Sequence, residues 1–454
     1  MIMFKVKDII EICNAKLLQG NIDKECINFC KDTRVIEKND VYVAIKGENF
    51  DGNDFYIDAI KKGASVCILE RDVEVPEEYS NVIILVVEDS VKCLQELARH
   101  KISKFKGKVI AITGSVGKTS TKDMIYSVVS TKYKTLRTIG NNNNHIGLPL
   151  TVLKHKDEEV MILEMGMNNF NEISLLSNIA KPDIAIITNI GTAHIGNLGS
   201  RENILKAKLE ILEGLKEKGK LIINNDNDML HNYYLENKKD NIITIGIDND
   251  SNYVAKDIEY NENNVVFNVD NNIIKVNVPS NIFVYNSLVA YTVGKELDIE
   301  NNLIKEGIEN FTLTKNRLDI KTNKKGVVII DDTYNASFDS VKASLQILKN
   351  RKEKRKIAVL GDILELGEFS ESIHRSIADE VINSNVDILV TIGNDIRYLI
   401  DELNNKRYEK EIYSFSNYSE TYELLDKILK KDDVILLKAS HGIKLTEVVN
   451  HLMK

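Results

Sequence analysis

The chain has 454 residues, enough for about three domains at roughly 150 residues each. Its 60 lysines and arginines against 68 aspartates and glutamates give a formal net charge of −8, which excludes the broad basic face of a non-specific nucleic-acid binder. The hydrophobic share of 43% and the charged share of 28% exclude a disordered chain.

The sequence shows no pattern of a membrane span or an export signal. The longest apolar run, residues 82–87, is far shorter than the roughly 20 residues of a membrane helix, and the N-terminus lacks the features of a signal peptide. The five cysteines all precede residue 94 and lack the spacing of a zinc site. We therefore expect a cytoplasmic protein with reduced cysteines, no membrane insertion and no bound nucleic acid.

Short β-branched runs alternate with longer amphipathic stretches, which is typical of parallel sheets flanked by helices. The first predicted domain, residues 1–98, has a helix at 54–62 and strands at 41–45, 66–69 and 82–87. A helix at 90–104 leads into a central domain, residues 99–313. A doubly wound sheet is predicted there from strands at 108–113, 160–164, 184–188 and 220–224.

The central domain is predicted to end in a small antiparallel patch over 252–278 and a helix at 286–297. The last domain, residues 314–454, repeats the strand, turn and helix pattern. Its predicted strands are 327–330, 356–360, 388–392 and 434–437. The fold class is therefore predicted to be α/β, with a second nucleotide-binding-type sheet at the C-terminal end.

Residues 111–121 combine a strand, a glycine-bearing turn and a helix, and they predict a phosphate-binding loop. Glycines let backbone N–H groups close around phosphate oxygens, and the N-terminus of the helix adds its positive end. Lys118 would neutralise phosphate charge and the Thr119 hydroxyl would ligate Mg²⁺. The spacing is shorter than the usual Walker form because Ile112 stands where that form has glycine; the alternative is a plain turn before an accidental Lys-Thr pair. The residues predicted to bind ATP or GTP are Gly114, Ser115, Val116, Gly117, Lys118, Thr119 and Ser120.

Two further candidate ligands follow neighbouring predicted strands. Glu164 ends the strand at 160–164 and His194 follows the strand at 184–188, and the carboxyl ends of such strands are where ligands bind open α/β sheets. With Thr119 they would form a metal constellation. Taken singly, each would more often be a capped or hydrogen-bonded structural group. Lys208 lies beside the apolar face of a predicted helix at 201–215, where a lysine often extends its charge to solvent.

A series of further motifs spans nearly the whole chain and resembles the Mur ligase family. The motifs are, in order, Asp-Thr-Arg at 32–34, Gly-Glu-Asn-Phe-Asp-Gly at 47–52, the asparagine-rich 140–149, Leu-Glu-Met-Gly-Met at 163–167, Thr-Asn-Ile-Gly-Thr-Ala-His at 188–194, Ala-Lys-Leu-Glu-Ile at 207–211, Asn-Arg-Leu-Asp at 316–319, Asp-Asp-Thr-Tyr-Asn-Ala-Ser at 331–337 and Gly-Asp-Ile-Leu-Glu-Leu-Gly at 361–367.

The resemblance implies a three-domain Mur ligase architecture with a central P-loop-type parallel sheet and a Rossmann-like C-terminal domain. It implies an ATP- and Mg²⁺-dependent, ADP-forming ligase of peptidoglycan precursor synthesis. ATP would phosphorylate the terminal carboxylate of UDP-MurNAc-tripeptide, and the amine of D-Ala-D-Ala would then attack the acyl phosphate. We expect a monomer.

The resemblance also implies roles for single residues. Lys208 would carry a CO₂-derived carbamate and join Lys118, Glu164 and His194 in a catalytic set. The metal ligands would be Thr119, Glu164, His194 and Lys208. Asn286, Arg317 and Asp332 would contact ATP, whereas the UDP-sugar and muramyl-peptide contacts would be Thr33, Arg34, Asn143 and Asn144. His374 is interpreted as a residue on a helix surface.

Four positions depart from the family's pattern. Phe283 precedes Val-Tyr-Asn where the family has asparagine, and Phe338 replaces a proline. His441 replaces an arginine, which removes a permanent bidentate cation, and His145 stands where an acid is common. These departures leave three alternatives open: a diverged paralogue with another substrate, a non-catalytic ATP-binding protein on the same scaffold, or a related ligase such as folylpolyglutamate synthase, which the UDP-type first domain disfavours.

Overall fold

The computed structural model describes residues 4–313 and 316–454. The chain divides into two compact units. The first comprises the chain up to Ile112 together with residues 133–185 and 210–220, and the second comprises residues 113–132, 186–209 and the chain from Leu221 onward. No helix in these described ranges is both long enough and apolar enough to cross a membrane.

The early part of the first unit is a five-stranded sheet in the order β2-β7-β6-β5-β4. Its four strands from β4 to β7 are parallel neighbours and β2 is antiparallel to β7. Both faces are covered by apolar side chains. The elements are β1 (Phe4–Lys5), α1 (Val6–Cys13), β2 (Lys16–Gln19), β3 (Glu25–Cys26), β4 (Phe29–Cys30), β5 (Val41–Val43), α2 (Tyr56–Lys61), β6 (Val66–Leu69), β7 (Ile83–Val86) and α3 (Ser90–Lys104).

A seven-stranded sheet has the order β14-β13-β12-β11-β8-β10-β9, and β11 passes from the first unit into the second. The neighbouring pairs β8–β10, β9–β10, β12–β13 and β13–β14 are parallel. Strand β10 is buried along its whole length, as expected for a parallel strand covered on both faces. The elements are β8 (Lys108–Thr113), α4 (Lys118–Val129), β9 (Thr135–Arg137), α5 (Gly147–Leu153), β10 (Val160–Glu164), α6 (Glu172–Ala180), β11 (Ile184–Ile187), α7 (Ile195–Leu198), α8 (Arg201–Leu209), β12 (Lys220–Asn224), α9 (Asp228–Glu236), β13 (Ile242–Gly246) and β14 (Tyr253–Val254).

The rest of the second unit contains a three-stranded antiparallel sheet and a six-stranded sheet in the order β18-β19-β23-β20-β21-β22. Edge strand β18 is antiparallel and the other five strands are parallel. The elements are β15 (Lys256–Tyr260), β16 (Val265–Val269), β17 (Asn272–Val276), α10 (Asn281–Glu296), α11 (Asn301–Glu309), β18 (Asp319–Thr322), β19 (Val328–Asp331), α12 (Phe338–Asn350), β20 (Arg355–Gly361), α13 (Ser370–Asn383), β21 (Ile388–Ile392), α14 (Arg397–Asn405), β22 (Glu411–Phe415), α15 (Tyr418–Ile428), β23 (Asp433–Lys438) and α16 (Thr446–Leu452).

The predicted α/β class and parallel central sheet are confirmed, and several element boundaries are corrected. The helix predicted at 54–62 is a 3₁₀ turn followed by α2, because the Asp51 side chain accepts the N–H of Asn53 and closes that turn. Helix α10 begins five residues earlier than predicted, and α8 ends at Leu209 before a 3₁₀ turn. His374, interpreted as a surface residue, is fully buried, and its Nε2 accepts the N–H of Ile363.

Candidate active site

The phosphate loop connects β8 to α4 through two glycines in the left-handed region, Gly114 with φ +148° and Gly117 with φ +86°. A Cβ atom at position 114 would lie 1.9 Å from the Oγ1 of Thr188, so a larger residue cannot occupy this turn without displacing its neighbour. Thr119 and Ser120 are buried at the start of α4. The loop therefore leads directly into a helix N-terminus, which is the geometry of an anion site.

Asn189 holds the phosphate loop in shape. Its carbonyl oxygen accepts the N–H of Ser115 at 3.1 Å, and its Oδ1 accepts the N–H of Val116 at 2.8 Å. The Thr188 hydroxyl donates to the carbonyl oxygen of Val116 at 2.7 Å, and the Lys118 ammonium donates back to that of Gly114 at 2.7 Å. The Ser115 and Val116 amides thus donate to Asn189 within the protein.

Asn286 lies on α10 against the first turns of α4. Its Oδ1 accepts the hydroxyl hydrogen of Thr121 at 2.8 Å and would be 3.4 Å from a Cβ built on Gly117. Its Nδ2 is buried and has no hydrogen-bond partner in the described part of the chain. Asn286, which was predicted to contact the nucleotide, therefore lies next to the phosphate loop, and its observed hydrogen bond is with Thr121 of α4.

The His194 loop, defined as residues 189–196 so that it includes the start of α7, makes hydrogen bonds with several other segments. The N–H of Gly191 donates to the Oγ of Ser115 at 2.9 Å, and the N–H of Thr192 donates to the Asp339 carboxylate at 3.1 Å. The Nδ1 of His194 lies 2.7 Å from the Oε2 of Glu365. This hydrogen bond is the main cause that lowers the pKa of Glu365. The loop is therefore fixed both to the phosphate loop and to the Glu365 loop, residues 362–367.

Lys208 is almost wholly buried on α8, with 1% of its surface exposed. Burial, followed by the charge of Lys118, lowers the pKa of its ammonium well below the ordinary value of 10.5. No hydrogen bond or ion pair of this ammonium occurs within residues 4–313 and 316–454. Extension of the charge to solvent is excluded, because the Lys208 side chain is buried.

Glu164 ends β10 in the first unit and is buried. Its Oε1 accepts from the Nδ2 of Asn143 at 2.9 Å, so Asn143 orients this carboxylate. The Oδ1 of Asn144 accepts the N–H of Gly147 at 2.9 Å at the start of α5. Asn143 and Asn144 were predicted to contact substrate. In the structure, Asn143 donates to Glu164 and Asn144 accepts the N–H of Gly147 at the start of α5.

Arg34 folds back on Asp32 in a fork of hydrogen bonds, with Nη2 2.7 Å from Oδ2 and Nε 2.9 Å from Oδ1. These bonds lower the pKa of Asp32 to about 2. Thr33 begins the 3₁₀ turn Thr33–Val35, and the guanidinium beside it is 83% exposed. The pair therefore presents a pre-oriented cation at the surface of the first unit.

Asp332 sits in a buried polar cluster below β19 and β23. One carboxylate oxygen accepts the N–H of Leu318 at 3.3 Å; the other accepts from the Ser344 hydroxyl at 2.6 Å and from the Lys438 ammonium at 2.5 Å. Burial lowers the pKa of Lys438. With its carboxylate fully occupied by protein groups, Asp332 orders this region. Arg317 stacks 4.0 Å above the Tyr334 ring.

The four departures are accommodated locally. Phe283 is buried, 5.9 Å from the ring of Phe311, so it contributes to the core. Phe338 takes the first position of α12, where proline is favoured, after a capping box at Ser337. His441 and His145 are exposed.

Sequence reasoning assigned no role to Asn189, Asp339, Glu365 or Lys438, which organise these loops and the Asp332 cluster. Asn189 and Glu365 could have been singled out because they lie within the motifs at 188–194 and 361–367. No motif of the sequence contains Asp339. Within the described ranges, no group of three or more His, Cys, Asp or Glu side chains is arranged to hold a metal ion. The predicted ligand set is not a group of this kind, because two of its four members are the Thr119 hydroxyl and a lysine, Lys208, that would carry a carbamate.

Three family models match consecutive parts of the chain. They are the Mur ligase family catalytic domain at residues 30–102, the Mur ligase middle domain at 112–294 and the Mur ligase glutamate ligase domain at 316–441. Together these matches cover more than half of the sequence.

Curated relatives match along the full length. The chain is 37% identical to a UDP-N-acetylmuramoyl-tripeptide–D-alanyl-D-alanine ligase of Bacillus subtilis, covering 100% of this chain and 99% of the relative. It is 32% identical to the enzyme of the same name from Synechocystis, covering 99% and 97%.

Solved structures show the same fold. MurF from Acinetobacter baumannii superposes with a TM-score of 0.90 at 27% identity, covering 100% of this chain and 99% of that one. The MurF ligase of Thermotoga maritima in complex with ADP gives 0.81 at 29% identity, covering 94% and 97%. With three domain matches in order and full-length identity to curated relatives, the chain belongs to the Mur ligase family, in its UDP-N-acetylmuramoyl-tripeptide–D-alanyl-D-alanine ligase branch.

Proposed function

We propose that the protein joins D-Ala-D-Ala to UDP-MurNAc-tripeptide at the expense of ATP, in peptidoglycan precursor synthesis. The observation that carries the proposal is the full-length match to ligases of this name, together with a phosphate loop whose lysine and threonine stand at the start of α4. Nucleotide binding is further supported by the ADP complex of the Thermotoga relative.

The chemistry has two steps. A carboxylate oxygen of the tripeptide attacks the γ-phosphorus of ATP, ADP leaves, and an acyl phosphate forms. The amine of the dipeptide then attacks the acyl carbon, loses a proton, and expels phosphate. Phosphate leaves far more readily than an oxide ion, so the barrier lies in bringing anionic groups together, and cations with backbone N–H groups offset that repulsion.

Residues of the phosphate loop are proposed to bind the nucleotide. The Lys118 ammonium offsets phosphate charge, and the N-terminus of α4 receives phosphate oxygens. The proposed contacts with the nucleotide are Gly114, Ser115, Val116, Gly117, Lys118, Thr119, Ser120, Asn286, Arg317 and Asp332. For Asp332 the support is indirect, because its carboxylate is occupied by protein donors and acts by ordering the segment next to Arg317.

Mg²⁺ is proposed as the cofactor, with Thr119, Glu164, His194 and Lys208 as its ligands. The donor chemistry fits, because hydroxyl and carboxylate oxygens suit this hard cation and the Nε2 of His194 makes no hydrogen bond with described residues. Carbamate formation requires an amine that has lost its proton, and burial favours that form by lowering the pKa of Lys208. When bound, Mg²⁺ neutralises charge on the transferring phosphoryl group.

Recognition of the other substrates is proposed to divide among the domains. Thr33 and Arg34 would bind the UDP part within residues 1–98, and Asn143 and Asn144 would line the muramyl-peptide side within 99–313. Residues 314–454 would bind the dipeptide, and residues 314 and 315 of that range lie outside the described ones. The family-model matches at 30–102, 112–294 and 316–441 support this division. Cytoplasmic location and a monomeric state stay predictions.

The test is phosphate release by purified protein supplied with ATP, Mg²⁺, UDP-MurNAc-tripeptide and D-Ala-D-Ala. We expect release to require both acceptor substrates and the amide product to appear in equal amount. Release without dependence on the acceptors would refute the ligase assignment. A non-catalytic nucleotide-binding protein would bind ATP and release none, whereas a paralogue would respond to another dipeptide or peptide acceptor.

A further inference from the structure

His194 and Glu365 are non-glycine residues that both adopt left-handed backbone conformations, each with φ +65°. Such conformations cost roughly 1–3 kcal/mol each and persist where the surrounding structure holds them. The two strained residues meet, because the His194 Nδ1 lies 2.7 Å from the Glu365 Oε2. Both left-handed residues therefore lie at one contact.

The backbones of the two loops also meet, at a glycine. The N–H of Gly196 donates to the carbonyl oxygen of Glu365 at 3.1 Å. A Cβ at position 196 would lie 2.6 Å from that oxygen and 2.7 Å from the nitrogen of Gly367, so only glycine allows the approach. The Glu365 loop is thus seated on the His194 loop through side chain and backbone together.

The chemistry of this contact concerns the two imidazole nitrogens. A carboxylate acceptor at Nδ1 holds the proton on that nitrogen and leaves the lone pair on Nε2. The Nε2 of His194 makes no hydrogen bond with residues 4–313 and 316–454, and the side chain keeps 19% of its surface exposed. The ring is therefore held in the tautomer that can bind a cation through Nε2.

We propose that Glu365 is a positioning residue for His194, which fixes the Nδ1–H tautomer and the ring orientation only while the Glu365 loop is seated on the His194 loop. The inference rests on the proposed function, in which His194 is a ligand of a divalent cation. It adds that seating of a loop from the C-terminal part and cation binding are coupled, so each favours the other.

The first test reads the tautomer without any metal. In the full-length protein labelled with ¹⁵N-histidine, the His194 signals are identified by their loss in His194→Gln. We expect protonated Nδ1 in the wild type and in Glu365→Gln, whose amide oxygen still accepts, and a shift toward protonated Nε2 in Glu365→Ala. The control is Glu368→Ala, an exposed glutamate three residues away. An unchanged tautomer in Glu365→Ala overturns the proposal.

The second test uses Mn²⁺ as the probe, with free Mn²⁺ measured by electron paramagnetic resonance. Loss of such an outer-sphere carboxylate weakens metal affinity by about 10–100-fold. We expect that loss in Glu365→Ala, a smaller loss in Glu365→Gln and none in Glu368→Ala. Equal affinity in wild type and Glu365→Ala overturns the proposal, whether or not His194→Gln binds less. Acceptor-dependent phosphate release by the wild type is scored separately, so failure of this inference is distinguishable from failure of the ligase assignment.

Discussion

Replacing the buried Lys208 by methionine should make the protein more stable and abolish its activity. At pH 7 an ordinary lysine, with a pKa of 10.5, must lose its proton to be buried neutral. Over 3.5 pH units, at about 1.4 kcal/mol per unit, this costs at most about 5 kcal/mol. Methionine keeps most of the apolar stem and has no proton to lose, so we expect Lys208→Met to gain stability by an amount within this bound.

The pH dependence gives the sign of the effect. Between the lowered folded-state pKa and 10.5, the unfolded chain carries a proton at Lys208 that the folded chain does not, so wild-type stability rises with pH across this range. The advantage of Lys208→Met should therefore shrink as pH approaches 10.5. The measurement is native-state hydrogen exchange of α8 amides in CO₂-depleted buffer, which reads local stability in a chain that need not unfold in one step.

Lys101→Met is the matched control. Lys101 is also buried, but its ammonium donates to the carbonyl oxygens of Leu153 at 2.8 Å and His155 at 2.7 Å. Burial also lowers the pKa of Lys101, to about 8, so methionine removes this cost but leaves both carbonyl oxygens without their donor. We therefore expect a smaller gain in Lys101→Met than in Lys208→Met. A loss of stability in Lys208→Met, or a gain that does not change with pH, would refute the reasoning that Lys208 is held neutral.

Three further substitutions test other parts of the structure. Gly114→Ala places a Cβ where a threonine oxygen lies 1.9 Å away, so ATP affinity measured by calorimetry should fall at least tenfold; unchanged affinity would contradict the loop geometry. Arg34→Ala should raise the pKa of Asp32 from about 2 toward 3.8 in a carboxyl ¹³C titration, and a value that stays near 2 would show that the fork does not set it. Lys438→Met leaves the Asp332 carboxylate buried without its cation, and native-state hydrogen exchange of β23 amides should show a loss of about 3–5 kcal/mol that Asp332→Asn partly restores. If the stability changes of Lys438→Met and Asp332→Asn simply add in the double variant, Lys438 and Asp332 do not interact directly.

The buried strand β13, Ile242–Gly246, was not predicted, and the strands predicted at 82–87 and 184–188 are one or two residues shorter in the structure. Several other strands with continuous β-branched runs were predicted from sequence to the residue. Those at 66–69, 108–113, 160–164 and 388–392 coincide with the observed strands, because burial on both faces leaves one readable signal. The edge strand β22, Glu411–Phe415, was missed because charged and polar residues interrupt its apolar pattern. Pairing with β21 determines that strand, and pairing is a tertiary property.

The site shows the same division. Lys118 and Thr119 were predicted because the residues of the phosphate loop are contiguous in the sequence, so the motif can be recognised without the fold. Asp339 could not be predicted, because its bond to Thr192 joins positions 147 residues apart and nothing near Asp339 in sequence suggests a partner. Resemblance proposed a role for Lys208, but its complete burial became visible only in the fold.

The clamp of Asn189 on the phosphate loop has a thermodynamic consequence. The Ser115 and Val116 amides of the phosphate loop already bind protein, so this part of the loop loses its conformational freedom during folding. The entropic cost is roughly 1–2 kcal/mol for each residue fixed. Nucleotide binding then need not supply that ordering energy again. Association should accordingly proceed with little change in backbone order, and the affinity for ATP should depend on Asn189 through the shape that it gives the loop.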